Sequence, residues 1–163
     1  MTDRPLRIIL AVSDDGYIAD INNKIPWHIP FDLKWFKMNT NGSTIAMGRK
    51  TWDSLKKPLP NRHHIVLSHT NINSSWSELE QSYSMKHFEK RIQETNAWLI
   101  GGASVVKQMI RPGAIVVLTH VHKTVGEGIH VSFPPMKCLW KSKEMTKKGY
   151  SFYISINKCL REK

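Results

Sequence analysis

The sequence predicts an α/β fold, a central and mostly parallel twisted sheet with flanking helices and a C-terminal antiparallel edge hairpin, as a single domain over residues 1–163. Three features predict it. Short apolar, β-branched runs recur at residues 8–12, 44–47, 64–68, 97–100 and 114–121, as buried parallel strands require. Segments of helical spacing lie between them, the alternation expected of a sheet covered by crossover helices. The last third changes character, with stretches at 139–144 and 150–156 separated by Lys147-Lys148-Gly149, a hairpin pattern.

Each element has a local reason. Ile8-Ile9-Leu10-Ala11-Val12 is continuously apolar, and a polar loop follows through Asn22-Asn23. Pro30 suits the start of a helix over residues 31–39, because its φ is already helical and its missing N–H would have no partner in the first turn; Asn41-Gly42 closes that helix. The strand at 44–47 runs directly into Gly48-Arg49-Lys50-Thr51, and a helical turn or two over 51–55 is stopped by Pro58 and Pro60. After the strand at 64–68 come an Asn- and Ser-rich loop, a helix over 85–94, a strand ending in Gly101-Gly102 and a helix over 103–109. The strand at 114–121 precedes the hairpin. In such sheets ligands bind beyond the carboxyl ends of the strands, which places the chemistry after Val12, Met47, Leu67 and Ile100 and near Thr119.

Composition narrows the class. Hydrophobic residues make up 40% and charged residues 23% of the 163, enough apolar surface for one globular core and without a run long enough to span a membrane. The apolar run after Arg7 is too brief for a signal peptide, so a cytoplasmic location without membrane association is expected. Cys138 and Cys159 have no metal-ligand spacing, and the expectation is two reduced thiols and no metal. The net charge of +11 fits either a polyanion surface or a pocket for anionic small molecules. Lys56-Lys57, Lys141 with Lys143, and Lys147-Lys148 are short groups without interleaved aromatics, which weighs against direct nucleic-acid binding. A monomer is expected. His28, His63, His64, His69, His120 and His122 show no pairing that suggests a triad or a metal site.

Two strand-to-helix junctions contain glycine, Met47-Gly48-Arg49-Lys50-Thr51 and Ile100-Gly101-Gly102-Ala103-Ser104. Glycine lets backbone approach a phosphate closely, and the amides that follow direct partial positive charge at it. Either glycine alone could merely permit a tight turn. Together, with Arg49 and Lys50 beside one of them, they favour a dinucleotide. Arg49 and Ser68, at the ends of neighbouring strands, are placed to meet a 2′-phosphate, which argues for NADPH over NADH.

The second constellation is Pro26-Trp27-His28-Ile29-Pro30-Phe31-Asp32-Leu33-Lys34-Trp35-Phe36. Asp32 could simply cap the helix. Trp27, Leu33 and Phe36 would instead surround it with apolar surface, which raises a carboxyl pKa and suits two parallel hydrogen bonds to an amidine-like ligand edge.

At these residues the whole chain resembles the dihydrofolate reductase family. Ile25 to Lys37 is similar to the family's pteridine-binding segment, Met47 to Trp52 to its cofactor turn, Pro58 to Arg62 to its folate-tail segment, Leu99 to Gly102 to its second cofactor turn, and Leu118 to Val121 to the strand with its threonine. The resemblance implies NADPH as cofactor, hydride transfer to C6 of 7,8-dihydrofolate, and dihydrofolate with its polyglutamates as ligands. It implies Asp32, Trp27 and Thr119 as the catalytic group, with Asp32 on pteridine N3 and the 2-amino group, Thr119 supporting it, and Trp27 holding a water. Leu33, Phe36 and Leu59 would pack the substrate rings, Arg62 would take the α-carboxylate of the glutamate tail, and Ile9, Leu10 and Ile100 would line the pteridine. Ala11 and Ile18 would meet the nicotinamide; Gly48, Arg49, Lys50, Thr51, Leu67, Ser68, Gly101, Gly102, Ala103, Ser104 and Val105 would hold the rest of the cofactor.

The chain departs from the family pattern in several places. The loop Gly16-Tyr17-Ile18-Ala19-Asp20-Ile21 stands where the family usually has Ile-Gly and one residue fewer, Asn61 where glycine is common, Val106 where tyrosine is common, and the segment 126–134 is longer than usual. Two other functions remain open on this reading. One is a riboflavin-pathway NADPH reductase of the same fold, similar in Asp15-Gly16-Tyr17-Ile18-Ala19-Asp20 but not expected to carry Trp27, Asp32 and Arg62 together. The other is a reductase-like binding or structural protein with a basic docking surface.

Overall fold

The structure, a computed structural model, describes residues 4–162; Met1, Thr2, Asp3 and Lys163 of the expected domain lie outside it. The elements are β1 (Arg7–Ser13), β2 (Tyr17–Ala19), α1 (Pro30–Thr40), β3 (Thr44–Gly48), α2 (Arg49–Ser54), β4 (His63–Leu67) and β5 (Leu79–Ser82), then α3 (Met85–Thr95), β6 (Trp98–Leu99), α4 (Ala103–Met109), β7 (Ile115–Val121), β8 (Ile129–His130), β9 (Met136–Lys141), β10 (Met145–Lys147) and β11 (Tyr150–Cys159). Among the described residues, nine strands form one sheet in the order β10-β11-β7-β1-β6-β3-β4-β5, with β9 also paired to β11. From β7 through β5 every pairing is parallel, and β11 lies antiparallel on β7. The predicted class, mostly parallel with an antiparallel edge hairpin, is the observed one.

Alternation along the strands sorts the core onto two faces. Ile8, Leu10, Val12, Val116 and Leu118 pack with Phe88 and Ile92 of α3 and Val105, Val106 and Met109 of α4. Ile9, Ile45, Met47, Val66, Val117 and Ile154 face the other way, against Trp35 and Phe36 of α1 and Trp52 of α2. Each such buried aliphatic side chain contributes about 1.5–3 kcal/mol relative to exposure. Helix α3 carries the local signals of its ends: Ser84 accepts the N–H of His87, and Asn96 closes it in the left-handed conformation at φ 52°.

Several boundaries differ from expectation. Helix α2 begins at Arg49 rather than Thr51, because Gly48 is itself the extended N-cap and the strand turns into helix without a linker. The hairpin's tight turn places positive φ at both Lys148 (53°) and Gly149 (80°), the requirement of a type I′ turn. Its first arm is β10, with Lys147 opposite Tyr150 and Met145 opposite Phe152; β9 pairs with the far end of β11, so the stretch expected as one arm is divided. Strands β2, β5 and β8 were not expected from sequence. Leu-Glu-Gln-Ser of β5 has little β-propensity and is held by a pairing along β4, while β2 and β8 pair only with each other.

Candidate active site

Strands β1 and β6 pair only at Arg7 with Trp98 and Ile8 with Leu99. Beyond Leu99 the chain leaves β1, and the N–H of Ile100 turns to the Ala46 carbonyl at 2.9 Å on the opposite side. The parted strands open a cleft of about 850 Å³, at the carboxyl ends where parallel sheets bind ligands. Ile9, Leu10 and Ala11 line it on one side and Ile100, Gly101 and Gly102 on the other. The expected position after Val12 is thus corrected inward, to the middle of β1.

Asp32 occupies the first turn of α1, where Pro30 starts the helix and Ile29 offers no side-chain cap. The capping role is not taken. Asp32 Oδ1 instead accepts a hydrogen bond from Thr119 Oγ1 at 2.5 Å. Burial pushes the Asp32 carboxyl above its ordinary range, and the Thr119 hydroxyl, which favours the ionised form, works against that shift. Trp27, Leu33, Trp35, Phe36 and Leu59 also line this part of the cleft. Trp27 is buried with Ile29, Val121 and Phe152, a cluster that joins the residue preceding α1 to strands β7 and β11.

The other end of the cleft is polar. Gly48, Arg49, Lys50 and Thr51 line it from the β3–α2 junction, Leu67 and Ser68 from the end of β4, and Ala103, Ser104 and Val105 from the start of α4. Arg49 Nη1 donates to Ser68 Oγ at 3.1 Å and to Thr70 Oγ1 at 3.2 Å, and its Nε donates to Asp53 at 3.0 Å. This net holds the guanidinium at the cleft rim. A Cβ on Gly48 would stand 2.9 Å from Val105 Cγ2, and Cβ atoms on Gly101 and Gly102 would stand 3.4 and 3.3 Å from Thr51 Oγ1. The two junctions therefore pack against each other with their backbone bare.

Residues 13–20 run from the end of β1 through β2, and Ile18 and Ala19 among them line the cleft. Asp15 ties them down: its carboxylate accepts from Ser13 Oγ at 2.6 Å and from the N–H groups of Val125 and Gly126. Those bonds, the Ser13 hydroxyl first, hold the Asp15 pKa at about 2. Tyr17 pairs with His130 and Ala19 with Ile129. The longer segment after β7 is thus the seat of the variant loop after β1.

Every residue nominated from sequence lines the cleft except Arg62. Arg62 is 4% exposed and lies behind the wall, its Nε donating to Pro60 O at 3.0 Å and its Nη1 to Thr40 Oγ1 at 3.1 Å. Thr40 Oγ1 in turn donates to Phe36 O at 2.8 Å. Arg62 therefore braces Pro60, next to Leu59, against the helix that carries Phe36. Asn61 adopts φ 61°, a left-handed conformation that glycine enters freely and asparagine tolerates best among other residues. Val106 is wholly buried in the core and takes no part in the lining.

Sequence reading missed Trp35, Thr70 and Gln108, all cleft residues. Helical spacing could have found two of them: Trp35 is one turn from Asp32 and Gln108 one turn from Ser104; Thr70 lies beyond the end of β4, where no period marks it. His69, whose Nδ1 contacts Tyr83 O at 3.0 Å, and Asn23 and Ile25 also line the cleft from loops, where no periodicity marks them, and Ile129 lines it from the two-residue strand β8. Among the described residues no group of three His, Cys, Asp or Glu side chains could hold a metal ion, and no helix is long and apolar enough to cross a membrane.

A profile of the family described as dihydrofolate reductase matches residues 5–155. The dihydrofolate reductase of Buchnera aphidicola subsp. Baizongia pistaciae is 33% identical over 156 residues, covering 93% of this chain and 94% of that protein. That of Buchnera aphidicola subsp. Acyrthosiphon pisum is 34% identical over 159 residues, 90% of this chain and 96% of the relative. The Haemophilus influenzae dihydrofolate reductase is 38% identical over 115 residues, 70% of each chain. In fold, the chain is similar to a dihydrofolate reductase from Enterococcus faecalis solved with NADP(H) and RAB-propyl, with a TM-score of 0.80, 24% identity, and coverage of 94% of this chain and 95% of that one.

Proposed function

The chain belongs to the dihydrofolate reductase family, and on that premise we propose that it reduces 7,8-dihydrofolate to 5,6,7,8-tetrahydrofolate with NADPH. The observation that carries the reading is the Thr119–Asp32 pair at 2.5 Å in an apolar cleft whose other end is held by Arg49, Ser68 and Thr70. One end suits a flat, amidine-edged heterocycle and the other a phosphorylated dinucleotide.

The residues present fit the cofactor. A volume of about 850 Å³ is in the range of sites for ligands of this size, the bare glycine junctions leave room for a pyrophosphate, and Arg49 offers charge-assisted hydrogen bonds to a 2′-phosphate. NADPH, when bound, supplies the hydride that reaches C6 of the pteridine. In this reading Ala11 and Ile18 shield the nicotinamide, and Gly48, Lys50, Thr51, Leu67 and Gly101 to Val105 hold the remainder, a role supported by their lining the same cleft.

The chain's own task is the proton. Reduction at C6 requires a proton at N5, which is weakly basic in water, so the site must favour the cationic ring. In our reading Asp32 grips N3 and the 2-amino group, Thr119 orients the carboxylate, and an ordered water beside Trp27 delivers the proton. Asp32 thus stabilises positive charge from the far edge of the ring. Ile9, Leu10 and Ile100 flank the pteridine, while Leu33, Phe36 and Leu59 take the aminobenzoyl ring. In the same reading Arg62 takes the α-carboxylate of the tail through Nη2, the guanidinium nitrogen not engaged by Pro60 or Thr40. Polyglutamylated substrates, a monomeric state and a cytoplasmic location belong to the same proposal.

The test is the loss of NADPH absorbance on adding dihydrofolate. Turnover dependent on both ligands is expected. NADPH oxidation with a pyrimidine of the riboflavin pathway but not with dihydrofolate would overturn the reading, and so would no oxidation with either.

A further inference from the structure

The segment that brings Leu59 into the cleft wall has few means of fixing itself. Pro58 and Pro60 flank Leu59, and neither ring nitrogen carries a hydrogen, so the Leu59 N–H is the sole backbone donor of the three residues. It donates to His64 Nε2 at 3.0 Å. His64 lies on β4 with no surface exposed, edge-to-face with Trp52 of α2 at 5.6 Å and with Trp76 at 6.1 Å between ring centroids. Because Nε2 accepts, the ring is neutral with its hydrogen on Nδ1. That Nδ1 has no hydrogen-bond partner among the described residues, so the ring's one polar bond is the bond to Leu59.

The two halves of this arrangement have different consequences. The flat ring supports Trp52, whose helix carries Arg49, Lys50 and Thr51 of the polar end. The acceptor nitrogen acts on Leu59 alone. On the far side of Leu59, Arg62 holds the Pro60 carbonyl; without the His64 bond the segment would be held at one side only, with a donor left unpaired.

We propose that His64 is a positioning residue for the substrate: its Nε2 sets the depth of Leu59 in the wall of the dihydrofolate half of the cleft, leaving cofactor binding and the chemistry at Asp32 unchanged. This rests on the dihydrofolate reductase reading of the site. His64 touches neither ligand pocket nor reacting group, and acts through a backbone N–H.

The experiment uses the full chain and two substitutions. His64→Phe keeps a flat ring without the acceptor; His64→Gln returns an acceptor at the position of Nε2. In His64→Phe the KM for dihydrofolate should rise about tenfold, the worth of one lost hydrogen bond, with kcat and the KM for NADPH within about twofold of wild type. His64→Gln should recover most of the loss. Amide hydrogen exchange of the wild type supplies a measurement that needs no variant to fold: the Leu59 N–H should be protected. A freely exchanging Leu59 N–H overturns the proposal, as does an unchanged dihydrofolate KM in folded His64→Phe, or a loss in which kcat and both KM values move together. Failure of His64→Gln to recover the KM overturns it also. A wild type without dihydrofolate reductase activity overturns the functional reading along with this one, whereas an active wild type with indifferent variants overturns this one alone.

Discussion

Thr119 Oγ1 and Asp32 Oδ1 stand 2.5 Å apart across 87 residues of sequence. Thr119 is fixed by the sheet, paired with Ala11 on β1 and Ile154 on β11, and Asp32 by the first turn of α1. The bond therefore locks the helix that walls the cleft to the strand beneath it, and aims the carboxylate's other oxygen away from Thr119. Burial raises the Asp32 pKa while the Thr119 hydroxyl, by favouring the charged form, pulls it back.

Asp32→Asn keeps the shape and removes the charge. The variant is expected to fold and bind NADPH, yet lose on the order of 10²–10⁴ in hydride-transfer rate at neutral pH. Part of the loss should return as pH falls, because solvent then protonates N5 without the enzyme's help. Single-turnover rates across pH check this; wild-type rates at pH 7, or a deficit that is flat toward acid, would leave Asp32 as no more than a structural carboxylate.

Arg49 is held by Asp53, Ser68 and Thr70 at the polar rim. Arg49→Ala should raise the KM for NADPH by about tenfold or more and that for NADH far less, since only the former offers a 2′-phosphate to the guanidinium. Steady-state kinetics with both cofactors decide it, and equal effects would show that the phosphate is read elsewhere.

Arg62 braces Pro60 and Thr40 from behind the wall. Lysine retains the charge but cannot offer the tail carboxylate the paired donors of a guanidinium, so Arg62→Lys should weaken dihydrofolate binding while a tail-less pterin substrate is almost unaffected. The lost bracing should also lower stability by about 1–3 kcal/mol. If both substrates suffer alike, Arg62 serves the wall and not the tail.

His64 makes stability depend on acid. Burial, aided by the Arg62 guanidinium and His63, pushes its pKa from the ordinary 6.5 down to about 4, and the Arg62 carbonyl opposes this without completing a hydrogen bond to Nδ1. The unfolded chain takes up this proton more readily than the folded one, so its contribution is complete above pH 6.5 and falls away as pH drops toward 4. The loss should reach about 3 kcal/mol by pH 4. Urea unfolding of wild type and His64→Gln at pH 7 and pH 4.5 isolates it, because acid effects of the carboxylates are common to both. A stability difference between the two proteins that does not change with pH would contradict the assignment.

The residues that carry the fold's local geometry were legible in sequence. The apolar runs of β1, β3, β4 and β7, the helical start at Pro30 and the glycine junctions at Gly48 and Gly101-Gly102 depend on side-chain period, fixed φ and missing Cβ atoms, all of which are properties of neighbouring residues. The place of the site was legible for the same reason, since it gathers at the ends of those strands; most of its individual members were named by the family resemblance. Where the reading fell short, the cause was not local. Strand β5 has no sequence signal because β4 imposes its pairing, and β2 and β8 exist through each other.

Local pattern alone marked the strand ends, the two glycine junctions and the apolar helix around Asp32, because period and missing Cβ atoms are properties of neighbouring residues; Leu59, Ile18 and the residues lining the pteridine were named only through the family resemblance. How these residues act is set by contacts across the fold. The parting of β1 from β6 after two residue pairs opens the cleft, the Thr119 hydroxyl turns a possible helix cap into an oriented acid, Arg62 faces inward as a brace, and His64 becomes an acceptor for the one donor that two prolines leave. Each is a contact between groups far apart in the chain, set by how the layers pack, and no pattern of adjacent residues encodes its distance or its direction.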